Sequence, residues 1–262
     1  MNCSTENRAR LDAVTAIERS LASGFLTQYT PGDLGAHHVE VSTMRLDGDR
    51  QPPSQSSFFE PYMGTLPQPD PEEEYPPFDE NGGVFCTPIA WAQDIYQYLR
   101  AYLMDIAGQE NPNDHIQLMQ PGNFDYNLWE HDYHFNWRAT SASKVPDGPW
   151  LKCMILNDIQ GSDKITRGEL LCICQIMIKG LGTYENHVMA PVLLLSFMGP
   201  RHGRVLLAHH DGNKLVIYRT ELFDFQSRNV SAFKILARWW CSGGVGNTVT
   251  RKPNIVQKAL KQ

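Results

Sequence analysis

A chain of 262 residues, 42% hydrophobic and 20% charged, has ordinary globular composition and is long enough to bury a core, as one domain with attachments or as two small ones. A formal charge of -6 and a pI near 5.8 exclude a protein that coats nucleic acid or a membrane surface by overall charge, because phosphate binding needs an excess of Lys and Arg. A local basic patch stays open.

The opening MNCSTENRARLDAVTAIERSLASGF carries charges through its first twenty residues and lacks the apolar stretch of about 7 to 15 residues that a signal peptide needs. No apolar run approaches the roughly 20 residues that cross a bilayer. The six cysteines, Cys3, Cys86, Cys153, Cys172, Cys174 and Cys241, lie scattered among apolar neighbours, which predicts reduced thiols and a cytoplasmic or nuclear protein without membrane association.

Leu11, Val14, Ile17 and Leu21, at steps of three and four, predict an amphipathic helix within residues 1–27. Residues 28–83 hold eight prolines between positions 51 and 80 and the acidic run PDPEEEYPPFDENGG, and they read as an arm or linker; the aromatics of FFEPYMGTLPQ are suited to docking on a domain. An α+β core domain follows over 84–245. It starts with a helix that Thr87 caps, Pro88 opens and Gly108 ends. Residues 109–150 are turn-rich, and WLKCMILND suits either a short strand or a helix.

Thr166-Arg167-Gly168-Glu169 spells a capping box, and the helix it opens is apolar nearly all round as far as Gly180, so it belongs in the centre. Three strands follow, over residues 192–198, 204–210 and 214–220, the last two joined by a tight Asp211-Gly212-Asn213 hairpin. SRNVSAFKILARWWCSGG predicts a final helix, and residues 246–262 form a basic tail. The expected core over 166–243 is therefore helix, three-stranded mainly antiparallel sheet, helix, with additional N-terminal helices.

Three clusters carry chemistry-bearing side chains. His209-His210-Asp211 ends a strand, where a carboxylate holds a cation and a histidine serves as ligand or base, although adjacent strand residues face opposite ways. In WEHDYHFNW, His131 and His134 are candidate binding residues beside Glu130, walled by Trp129 and Trp137. His37-His38-x-Glu40 is a third, in a segment that reads as irregular. No phosphate loop, dinucleotide fingerprint or serine elbow occurs.

The stretch APVLLLSFMGPRHGRVLLAHHDGNKLVIYRTELFDF resembles a segment of uncharacterised intracellular proteins of filamentous fungi, which carries no activity over. The order of helix with Glu169, three strands and a second helix resembles the core of restriction-endonuclease-like nucleases. That resemblance implies Glu169 and Asp211 as catalytic carboxylates, Asp211 as a metal ligand, and magnesium as the cofactor. The third strand, KLVIYRTEL, departs from the family by lacking an acidic residue two before a Lys or Arg. The expectation is a non-catalytic binding or accessory protein with a degenerate nuclease-like core, working on a protein partner. The alternatives are a divergent metal-dependent nuclease acting on nucleic acid, or a small-molecule enzyme, for example of fungal secondary metabolism, using the His131 and His134 pocket.

Overall fold

The computed structural model describes residues 3–46, 58–69, 75–79, 86–109, 117–118 and 136–249. Helix α1 spans Cys3–Ala22, and strand β1 (Gln28–Tyr29), the short helix α2 (Pro31–Gly35) and strand β2 (Val39–Thr43) follow. After β3 (Phe59–Glu60) comes α3 (Pro88–Gln109), then β4 (Gln117–Leu118), β5 (Trp137–Lys144), β6 (Leu151–Gln160) and β7 (Ile165–Thr166). Helix α4 (Arg167–Thr183), strands β8 (Val192–Gly199), β9 (His202–His210), β10 (Leu215–Arg219) and β11 (Phe223–Asp224), helix α5 (Val230–Trp240) and β12 (Gly243–Gly244) complete the elements among the described residues.

The fold is α+β, and the order α4, β8, β9, β10, α5 is the one the sequence predicts. The sheet is larger than three strands. Its order is β2-β10-β9-β8-β6-β5-β4, with β11 also pairing with β9. It is mixed, because β6 runs parallel to β8 and β2 parallel to β10 among otherwise antiparallel neighbours. Two of these strands are poorly marked in sequence for physical reasons. Strand β5 reads WRATSASK, small and polar, while β6 is buried along its first seven residues and so shows no alternation that separates a strand from a buried helix. Residues 28–46, read as arm, supply the edge strand β2 and place Tyr29 and Leu34 in the core.

Side-chain alternation along the strands divides the core into two layers. Leu194, Leu206, Ala208 and Ile217 pack with Val14, Ile17 and Leu21 of α1 and with the apolar face of α4. Leu193, Leu195, Phe197, Val205 and Leu207 pack on the opposite face with Ile95 and Leu99 of α3 and with Phe233 and Leu236 of α5. All eight residues of β8 are buried. Each large apolar side chain there contributes about 1.5–3 kcal/mol over its exposed state.

The proline-rich segment lies against the α3 and α5 layer and is held there through its carbonyl groups. Arg238 donates to the carbonyls of Tyr62 (2.7 Å) and Gly64 (2.9 Å), Tyr102 to Pro67 (2.7 Å) and Arg228 to Pro69 (3.3 Å). Phe59 is buried, and its strand β3 pairs with β12.

A lysine is buried on the same side. Lys152 of β6, with no solvent exposure, donates to the carbonyls of Trp240 (2.8 Å) and Ser242 (2.5 Å) and so closes the end of α5, whose last carbonyls lack helical partners. Burial pulls its pKa down to about 7, against a smaller upward pull from Cys241. Between pH 7 and 10.5 the unfolded chain therefore holds a proton that the folded chain has released, so this residue favours folding increasingly as pH rises through that window. Urea unfolding of wild type and of Lys152→Met across pH 6 to 10.5 is expected to show the stability difference moving in favour of wild type. A difference that is flat with pH would contradict this placement of the lysine.

Candidate functional site

The β9 strand carries His209 and His210 and separates them. On its α1 and α4 face stand Arg204, Leu206, Ala208 and His210, two residues apart in turn; His209 falls on the other face. Glu169 sits in the first turn of α4 with no exposure, and it meets β9 at Arg204. The Nε of Arg204 donates to Oε1 (2.7 Å) and one terminal nitrogen to Oε2 (2.5 Å), a two-pronged pair with both side chains fully buried. Arg204 also donates to the carbonyls of Ser162 (3.2 Å) and Lys164 (2.7 Å). Glu169 Oε2 accepts from the amide of Thr166 as well (2.8 Å), completing the capping box.

Asp211 lies at the other end of the strand. Its Oδ1 accepts from the amides of Asn213 (2.7 Å) and Lys214 (2.9 Å), the local pattern that makes aspartate a turn former, and Gly212 adopts φ 109°. Burial works to raise its carboxyl, but the two amides outweigh it and hold the group below the usual carboxylate range. From Arg204 to Asp211 the chain takes seven steps, along an extended strand roughly 23 Å. Glu169 meets β9 at Arg204 and Asp211 follows the far end of that strand, so the two carboxylates stand toward opposite ends of β9 and not side by side as a shared cation would need. The position beside Glu169 is filled by a guanidinium. Among the described residues, no three His, Cys, Asp or Glu side chains gather as a metal ion would need.

Of the aromatic pocket, Trp129, Glu130, His131 and His134 lie outside the described residues. Trp137 is buried at the first position of strand β5 and walls a small cavity of about 80 Å³ with Asn157 of β6, Thr166 of β7, and Arg167 and Gly168 at the start of α4. Gly168 is required there, since a Cβ would come within 2.5 Å of the Trp137 ring. Asn157 ties this corner to the sheet by donating to Ser196 Oγ (3.0 Å) and the Phe197 carbonyl (3.2 Å) while accepting from Thr166 Oγ (3.0 Å).

The weakest of the three sequence clusters contributes to the larger hollow. A depression of about 290 Å³ is lined by Ala13, Ala16 and Ser20 of α1, by His37 and His38, and by His210. Small residues at 13 and 16 leave the space, and Ser20 Oγ lies 2.8 Å from His37 Nδ1. His210 accepts from the Gly212 amide at Nδ1 (3.2 Å), so its proton resides on Nε2, a buried atom without a hydrogen-bond partner among the described residues. Arg10, itself buried, donates to the His210 carbonyl and to Glu6 (2.9 Å). His209 is packed between Phe58 and Tyr218. Sequence spacing gives no hint that residues 37 and 210 meet; the parallel pairing of β2 with β10 brings them together.

Among the described residues no helix is long and apolar enough to cross a membrane, and all six cysteines are free. Comparison of the chain with protein-family models, with curated proteins and with solved structures finds no match.

Burial pulls both His209 and His210 down to about 4, with Asp211 opposing and Arg10 reinforcing the shift. Below pH 4 folded and unfolded chains both carry these protons, and above 6.5 neither does; in between only the unfolded chain does, so stability is lost as pH falls through that window. Chemical unfolding from pH 7 to 4 is expected to show a steep loss for wild type and a shallower one for His209→Phe. Equal slopes would contradict the burial of a neutral His209.

Proposed function

We propose that this chain is a non-catalytic binding or accessory protein whose core is a degenerate form of the nuclease-like arrangement, acting on a protein partner. The observation that carries the reading is the consumption of Glu169. Its two oxygens accept from Arg204 and the Thr166 amide, in a place with no solvent access, so the carboxylate the resemblance singles out has a guanidinium where a metal ion would have to sit. Asp211 is committed to its own turn. Free thiols and the charge balance suit a cytoplasmic or nuclear site of action.

A second reading, small-molecule binding in the histidine-lined hollow, is favoured by its volume and by His210, whose Nε2 has no protein acceptor among the described residues. It needs no metal and no nucleophile.

The deciding experiment incubates purified protein with end-labelled single- and double-stranded DNA and RNA in magnesium or manganese, beside Asp211→Ala. Intact substrate in every lane is expected. Cleavage by the wild type that the Asp211→Ala protein loses would overturn the non-catalytic reading.

A further inference from the structure

The part of the proline-rich segment that follows residue 74 is seated on the domain in a manner that belongs to recognition more than to chain connection. Tyr75-Pro76-Pro77-Phe78 wraps around Arg201. The guanidinium lies 5.5 Å from the ring centres of both Tyr75 and Phe78, and it donates to the carbonyls of Pro76 (2.5 Å) and Pro77 (3.1 Å) and to Asp94 (2.7 Å). Each aromatic flank has its own receptor. Tyr75 meets Tyr98 edge-on (5.0 Å) and Phe233 (6.2 Å) and donates its hydroxyl to the Phe225 carbonyl, while Phe78 lies against Trp91 (5.8 Å). Arg201 is 2% exposed and sits at φ 59°, a left-handed backbone that a non-glycine residue adopts only when its surroundings enforce it.

The chemistry of the seat matches the chemistry of what it holds. A proline-rich extended chain makes no hydrogen bonds within itself, so its carbonyls stand out as acceptors, and it loses little conformational freedom when it docks. Arg201, Arg228, Arg238 and Tyr102 supply donors to those carbonyls at Pro76, Pro77, Pro69, Tyr62, Gly64 and Pro67. The rings that flank the prolines in the segment, Tyr75 and Phe78, meet rings of α3 and α5, so aromatic contacts add to the carbonyl contacts as in grooves that read such peptides from other chains. The segment is also acidic in sequence, PDPEEEYPPFDE, and Arg201, Arg228 and Arg238 donate to carbonyls of its described residues.

We propose that the α3 and α5 face, centred on Arg201, Tyr98, Phe233 and Trp91, is a recognition surface for acidic proline-rich segments with an aromatic-Pro-Pro-aromatic centre on a partner protein, and that the chain's own residues 58–69 and 75–79 occupy it as an internal ligand. This rests on the binding-protein reading and names the partner's chemistry. Cleavage of nucleic acid would sink that reading without touching this surface, and failure of peptide binding would sink the surface alone.

The test uses a fluorescent synthetic peptide with the sequence of residues 58–79. Against the full chain carrying Tyr75→Ala and Phe78→Ala, which weakens the internal ligand, the peptide is expected to bind at least tenfold more tightly than against wild type. Adding Arg201→Met is expected to reverse that gain, as is a peptide with both Pro76 and Pro77 replaced by Ala. Equal binding to wild type and the double variant, or binding indifferent to Arg201 and the prolines, would overturn the proposal. A second measurement needs no variant. Hydrogen exchange of amides in residues 58–69 of wild type is expected to speed up when the peptide is added at millimolar concentration, and protection that stays unchanged would show the segment to be a fixed part of the core.

Discussion

A carboxylate and a guanidinium removed entirely from water are stable only if each satisfies the other, because a lone buried charge costs several kcal/mol. Glu169 and Arg204 meet that condition, and the geometry they impose runs through the domain. The carboxylate belongs to the first turn of α4 and completes the Thr166 cap, while the guanidinium belongs to β9 and also gathers the carbonyls of Ser162 and Lys164. One pair therefore fixes the start of the central helix, the register of a central strand beneath it and the turn leading from β6. Asn157 extends the same corner to β8 through Ser196.

The arrangement commits the carboxylate of α4 to the interior of the domain. The cation the carboxylate would require is already present as a side chain. Strand geometry then disperses the other candidates, sending His209 to the α3 and α5 face and His210 to the α1 face and leaving Asp211 to shape the hairpin. Among the described residues, two further features lie at the periphery, the hollow beside α1 and the aromatic face that holds described parts of the proline-rich segment.

Local signals were legible in the sequence. The capping box at Thr166, the helix opened by Pro88, the apolar run of β8 and the Asp211-Gly212 turn all depend on residues within a few positions of each other, so spacing alone reveals them. The aromatics of residues 58–68 were readable as docking residues because Phe and Tyr in a proline-rich stretch have little other use, but their arginine partners lie more than 100 residues away. Long-range pairing was not readable. Glu169 as a catalytic carboxylate and Glu169 as an arginine's partner look identical until position 204 is placed beside it. The histidines at 37 and 38 look isolated until β2 pairs with β10. Strand β5 escaped because Thr, Ser and Ala on a strand between two neighbours carry no apolar rhythm.

The central claim, that Glu169 exists to hold Arg204, is tested most directly by a double-mutant cycle on stability, using Glu169→Gln, Arg204→Met and the pair together, with unfolding by urea at neutral pH. Each single substitution strands a buried partner and is expected to cost about 3–5 kcal/mol. The double variant is expected to cost less than the sum, with a coupling of roughly 0.5–3 kcal/mol. Two small and additive effects, in proteins that remain folded, would mean that the pair constrains nothing and that the carboxylate is free for another role.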